Sequence, residues 1–232
     1  MDQLQHKVLY GFGDSLIAGH ELHIGLLDDF AQRHQLEFHN FAANGATIIP
    51  TQPADHTWAS ENQVPDLATQ IKAAPAIQPD LIIFDGTTND AISYVDQLRP
   101  LGQIAADFLP ISFDTNTYCG CFELVLQLLR SRYPLTPIYF VGVHHMPAIP
   151  LERQDKIQAT AAKICGKWGI PVIDLYHAGQ INTFIAEQAR QYSYNNGQQP
   201  HAGGDGTHLN AEGYQRFYTP MLEAKITPEF ND

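Results

Sequence analysis

A chain of 232 residues, 44% of them hydrophobic and 16% charged, has the composition of a folded globular protein and the length for one large domain. Its 13 basic and 25 acidic residues give a formal net charge of −12 with no basic cluster, which argues against nucleic acid and anionic bilayers as partners. No apolar run approaches the ~18 residues of a membrane span, and residues 1–7 lack the basic flank and apolar core of a signal peptide. The three cysteines, Cys119, Cys121 and Cys165, are odd in number and form no CxxC pair. Free thiols in a reducing cytosol are therefore expected, and with them a cytoplasmic location.

In chain order, residues 8–12 predict a short buried strand that enters a glycine turn, Gly11-Phe12-Gly13-Asp14-Ser15. Residues 16–35 carry Leu22, Leu26, Leu27 and Phe30 at helical spacing, and 36–41 alternate as a second strand. A loop of small residues follows at 40–47. The polar stretch 50–65, with three prolines and Trp58, reads as a surface excursion. Residues 67–74 predict a helix closed by Pro75. The apolar run 81–84 predicts a strand covered on both faces, ending in the polar turn 85–90.

Residues 91–118 are longer than a connection requires. With 50–65 and 190–204 they are expected to form lid or pocket-wall segments. Helices are predicted at 122–132, 151–168, 180–191 and 210–224, the last capped by Asn210. Strands are predicted at 138–143 and 172–175, and a loop at 195–204. Without a repeat or linker, five strands alternating with helices predict a single α/β domain over residues 1–232. The expected fold is a flavodoxin-like three-layer α/β/α sandwich around a central, mostly parallel five-stranded sheet. In such sheets the working residues gather at the carboxyl ends of the strands, where these polar turns fall.

The first turn admits three readings. A dinucleotide site wants a third glycine where Leu16 stands and an acidic residue closing the second strand, where only Glu37 occurs, near its start. A helix start capped by Asp14 or Ser15 satisfies the orphan N–H groups and excludes no second role. A nucleophilic Ser15 needs a base and a group to orient that base. Asp205-Gly206-Thr207-His208 offers both within one glycine-bearing loop, although an incidental histidine in a surface loop would look the same. His144-His145 follows a strand end and suits a pocket wall or surface better than a metal, for want of a third ligand. His20 and His23 miss the His-Glu-x-x-His zinc spacing and read as a solvated face. Asp14 reads as a local hydrogen-bonding residue. Trp58, Tyr94 and Phe113 are candidates for an acyl-pocket wall or plain packing.

Gly13-Asp14-Ser15-Leu16, the loop 40–47 with Gly45, Gly86-Thr87-Thr88-Asn89-Asp90 and Asp205-Gly206-Thr207-His208 stand in this order along the chain. Together they resemble the four motifs of the SGNH hydrolases, or GDSL-type esterases and lipases. Thr87 departs from the third motif, which often has a second glycine there. The resemblance implies a serine esterase for a small or medium acyl ester, a carbohydrate O-acetyl ester included. It implies Ser15 as nucleophile, His208 as base and Asp205 as its orienter. The oxyanion hole it implies is the backbone N–H of Ser15 and Gly45 with the side-chain amide of Asn89. Neither a metal nor an organic cofactor is implied, and the expected partner is a small-molecule ester. Two alternatives stay open: an acyltransferase with an alcohol or sugar acceptor, and a non-catalytic flavodoxin-like binding module.

Overall fold

Leu81, Ile82, Ile83 and Phe84 are all fully buried, and their place in the sheet explains why that run carries no polar side chain. In the computed structural model, which describes residues 3–20, 24–50, 66–194 and 203–230, they form the central strand. The strands are β1 (Val8–Phe12), β2 (Glu37–Asn40), β3 (Leu81–Phe84), β4 (Ile138–Gly142) and β5 (Val172–Asp174). They lie in the order β2-β1-β3-β4-β5, and every pairing is parallel. The polar Glu37–Asn40 stretch takes an edge, where it is mostly exposed.

The helices are α1 (Ser15–Ala18), α2 (Asp28–Arg33), α3 (Leu67–Ala73), α4 (Tyr118–Arg132), α5 (Leu151–Lys167), α6 (Leu175–Ala178), α7 (Ala186–Tyr192), α8 (Ala211–Gly213) and α9 (Thr219–Phe230). Helices α3, α4 and α5 pack side by side on one face, and α2 and α9 pack together on the other. The chain leaves β1 toward β2 and returns to lay β3 on the other side of β1. That reversal opens a crevice beyond the carboxyl ends of β1 and β3. No helix among the described residues is long and apolar enough to cross a membrane. All three cysteines are free and buried, and burial pushes the Cys119 thiol up to about 11 and that of Cys121 to about 12.

The five strands fall where the sequence places them, within a residue or two, but four helices do not. The helix expected over 122–132 starts earlier, at Tyr118, where the Thr117 side chain caps it by accepting Gly120 N–H. The helix expected over 16–35 is two short ones, α1 and α2. After Gly19 caps α1, the chain doubles back, and Leu26 N–H donates to Leu16 O at 2.8 Å. A Cβ at Gly25 would lie 2.2 Å from Ile17 O, so this return requires glycine. The helix expected over 180–191 starts only at Ala186. Residues 182–183 are instead drawn to His145, where Asn182 makes a bridge and Thr183 N–H donates to His145 O at 3.1 Å. The last helix, capped by Asn210 as expected, passes through a π-helical stretch at Tyr214–Tyr218 and runs on to Phe230.

The stretch 91–118 begins in a π-helix (Asp90–Tyr94), and part of it is anchored against α4 and α5. Ala105 N–H donates to the buried Glu123 at 2.8 Å, and Lys167 pairs with Glu123 while donating to Ala105 O at 2.8 Å. Phe108 and Phe113 pack on Trp168, with centroids at 5.1 and 6.1 Å, just beyond the C-terminal end of α5. The readings of Trp58, of 51–65, of 195–202 and of His23 lie outside the described residues, as does that of the Tyr94 side chain.

Candidate functional site

The first turn is held from below. Gly13 N–H donates to Gln70 Oε1 at 2.9 Å, and Gln70 Nε2 donates back to Gly13 O at 2.9 Å. Gly13 has φ 152°, and a Cβ there would sit 1.8 Å from Asp85 Oδ1, so no other residue fits. That same oxygen accepts the Asp14 N–H at 2.9 Å. Asp14 in turn caps α1, its Oδ1 accepting Leu16 N–H at 2.9 Å. Asp14 is thus the local hydrogen-bonding residue expected from sequence. Burial pushes its carboxyl upward against the Leu16 bond. Asp85, buried beside Asp14, is pushed well above the usual carboxylate range. With α1 only four residues long, what it offers a developing anion is the nearby N–H groups rather than a macrodipole.

Ser15 opens α1 with 7% of its surface exposed, and its Oγ lies 2.7 Å from His208 Nε2. His208 Nδ1 lies 2.6 Å from Asp205 Oδ2. The other Asp205 oxygen accepts Thr207 N–H at 2.9 Å and His208 N–H at 3.0 Å. Burial would raise the Asp205 carboxyl, but the bond and charge of His208 and the two backbone donors outweigh it and hold the group below its ordinary value. An ionised Asp205 fixes the tautomer: Nδ1 carries the hydrogen and Nε2 accepts from Ser15.

The loop is tied from three sides. Tyr194 N–H donates to His208 O at 2.7 Å, and Asp205 N–H donates to Tyr194 O at 2.8 Å. Thr183 Oγ1 donates to Gly206 O at 2.5 Å. His144 Nε2 faces the same carbonyl at 3.4 Å, with Tyr218 Oη 2.7 Å from its Nδ1. Burial pushes His144 down to about 4, so it is a neutral brace under the loop. Its neighbour His145 turns elsewhere and stacks on Tyr176, centroids 3.9 Å apart.

Gly45 and Asn89 reach the same edge from the next two turns. Ala43 N–H donates to Gly13 O at 3.1 Å, which docks the 42–46 loop on the Ser15 turn. Gly45 has φ 77°, and neither its N–H nor that of Ser15 finds an acceptor among the described residues. Asn89 Nδ2 donates one hydrogen to Ala46 O at 2.9 Å, and the other meets no acceptor among the described residues. Behind them the Asp90 carboxyl accepts Ile48 N–H at 2.7 Å and Ile49 N–H at 3.0 Å, clamping the second turn to the third. Burial pushes Asp90 up to about 8. Thr87, the departure from the glycine pattern, is buried and accepts from Gln158 of α5 at 3.0 Å, so its extra bulk is taken up by that helix.

Sequence reasoning missed Gln70, Tyr194 and His20. His20 is not on a solvated face: it is half-buried, with its ring parallel to that of His208 at 3.9 Å. No local signal could have found these contacts, since each joins residues far apart in the chain. Ligand atoms of His20, Asp205 and His208 lie within 4.8 Å of one another, the spacing of a metal cluster. Parallel rings, however, aim their lone pairs along parallel planes rather than at one point, and both His208 nitrogens are engaged. The arrangement suits proton transfer from Ser15 better than chelation.

A model of the GDSL-like lipase/acylhydrolase family matches residues 12–216, a span that takes in both the Ser15 turn and the Asp205–His208 loop. No curated protein matches the chain. Among solved structures, a protein from Lactobacillus plantarum aligns with 24% identity and a TM-score of 0.73, covering 95% of this chain and 96% of its own. A member of the lipolytic G-D-S-L family from Veillonella parvula aligns at 14% identity and a TM-score of 0.57, covering 95% and 98%. The lipase/acylhydrolase from Enterococcus faecalis aligns at 16% and 0.55, covering 96% of each chain. At these identities the structural likeness establishes the fold.

Proposed function

This chain belongs to the GDSL-like lipase/acylhydrolase family of ester-hydrolysing serine hydrolases, and from that premise we propose that it cleaves its ester through a Ser15–His208–Asp205 triad and a covalent acyl-enzyme. The observation that carries the reading is the unbroken line of hydrogen bonds, 2.7 Å from Ser15 Oγ to His208 Nε2 and 2.6 Å from His208 Nδ1 to Asp205 Oδ2. A serine hydroxyl attacks poorly until a base takes its proton, and that base works only in the tautomer its partner fixes.

In this reading Ser15 Oγ bonds to the ester carbonyl carbon as its proton passes to His208 Nε2. The carbonyl oxygen becomes an oxyanion that accepts from the N–H groups of Ser15 and Gly45 and from the second hydrogen of Asn89 Nδ2. Each such donor is worth about 3 kcal/mol of transition-state stabilisation. Collapse breaks the bond to the alcohol, which leaves with the proton from His208. Water then attacks the acyl-Ser15 ester, giving its proton to His208, and the acid departs as Ser15 recovers its hydrogen. The substrate class is a small or medium acyl ester, a carbohydrate O-acetyl ester among the candidates, and all 232 residues serve one domain.

Ser15→Ala is expected to abolish turnover of p-nitrophenyl acetate and labelling by a fluorophosphonate, while the thermal midpoint stays near that of the parent. Undiminished turnover by the variant would refute the triad.

A further inference from the structure

We infer that His20 is a positioning residue of this site, its ring bracing the face of His208 so that the imidazole stays in line with both Ser15 and Asp205. The inference rests on the triad reading above. Both anchors of the His208 ring, Ser15 Oγ and Asp205 Oδ2, act along its edge. Bonds in the ring plane align the two nitrogens but resist tilting out of that plane weakly. The His20 ring lies 3.9 Å away at an interplanar angle of 5°, so it blocks that motion from one side.

The brace is itself held. Tyr194 meets the His20 ring edge-on, centroids 5.1 Å apart and planes at 83°. The same Tyr194 is bonded through its backbone to both His208 O and Asp205 N. Tyr194, His20 and His208 thus form a closed packing arrangement around the loop that carries the triad's base and acid.

The backbone bears out the cost of placing His20 there. Gly19 ends α1 with φ 97°, and His20 follows with φ 42°, in the left-handed region that non-glycine residues seldom adopt. A strained residue persists where its surroundings over-determine it, and such residues cluster at functional sites. The stack also has a chemical consequence. When His208 takes up the Ser15 proton, its new charge lies over the ring face of His20, a contact that acts on that charge only after the transfer. The carboxyl groups that face His208, Asp205 at its edge and Asp14 beneath Ser15, act on the same charge from other directions.

The test compares the parent protein with His20→Ala and His20→Phe on p-nitrophenyl acetate at about pH 8, above the ordinary imidazole range. His20→Ala is expected to lower kcat roughly threefold to tenfold with KM changed by less than about twofold, and His20→Phe to recover most of the loss by restoring a ring face. Independently of activity, the ring-proton NMR signals of His208 should show a ring-current displacement that His20→Ala removes and His20→Phe keeps. If His20→Ala does not fold, His20→Leu takes its place with the same expected loss. Unchanged kcat, a rise in KM alone, or an unmoved His208 signal overturns the positioning role. Ser15→Ala, assayed alongside, separates the two ideas: activity surviving there sinks the triad, whereas a dead Ser15→Ala beside an unimpaired His20→Ala sinks only the brace.

Discussion

Asp205 divides its carboxylate between two tasks, and the division explains what a single atom change there should do. One oxygen ties down the loop through Thr207 and His208 N–H, and the other holds the His208 ring. Asp205→Asn can keep the first set of bonds, but its amide presents hydrogens to Nδ1 and favours the tautomer that cannot accept from Ser15. A fall in kcat of about 10⁴-fold with little change in thermal midpoint is expected. Steady-state kinetics on p-nitrophenyl acetate checks it, and a loss below about tenfold would mean that tautomer control is not the role of this group. The pair was a candidate in the sequence because an Asp three residues before a His in one glycine-bearing loop can fold back on the imidazole, although an incidental loop histidine would look the same. His20 was not, because its partner His208 comes from the other end of the chain.

The glycines decide how the elements meet, and they fall into two physical classes. Gly25 lets the chain after α1 turn back against α1, with Ile17 O only 2.2 Å from where a Cβ would stand. Gly25→Ala must move backbone, and a loss of about 1–3 kcal/mol in stability is expected. Gly166 lies inside α5 with nothing within 4 Å of its Cβ position. There an alanine only removes disorder from the unfolded chain and raises helix propensity, so Gly166→Ala should add about 0.5–1 kcal/mol. Urea midpoints of the two variants, expected to move in opposite directions, test the contrast. The same physics explains the helix that sequence periodicity places over 16–35. Leu22, Leu26, Leu27 and Phe30 keep a helical spacing, yet Gly19 and Gly25 end one helix and permit a return before the next begins.

Across the whole molecule, three fully buried carboxyls lie behind the carboxyl edge of the sheet, and burial shifts all of them upward. Asp90 holds its proton in the folded state up to about 8, against 3.8 for the ordinary group. The folded chain therefore binds a proton that the unfolded chain releases. The stability this brings is fully present below 3.8 and is lost as pH rises through about 8. Asp85 and Asp14 shift in the same direction, so the urea midpoint should fall from about pH 6 to about pH 9, and Asp90→Asn should shrink the fall. An equal or steeper fall in the variant would remove Asp90 as its source. The strands and the polar turns that end them were determined by the sequence alone, since apolar period and turn chemistry are local properties. The resemblance implied that Ser15 meets His208, a contact spanning 193 residues that no local pattern gives, whereas the tertiary structure alone decided that Asp14 rests on Asp85 across 71. It alone decided, too, that Gln70 pins Gly13 and that His20 faces His208. These contacts depend on where a parallel sheet and its crossovers bring distant turns together, and no local pattern encodes that placement.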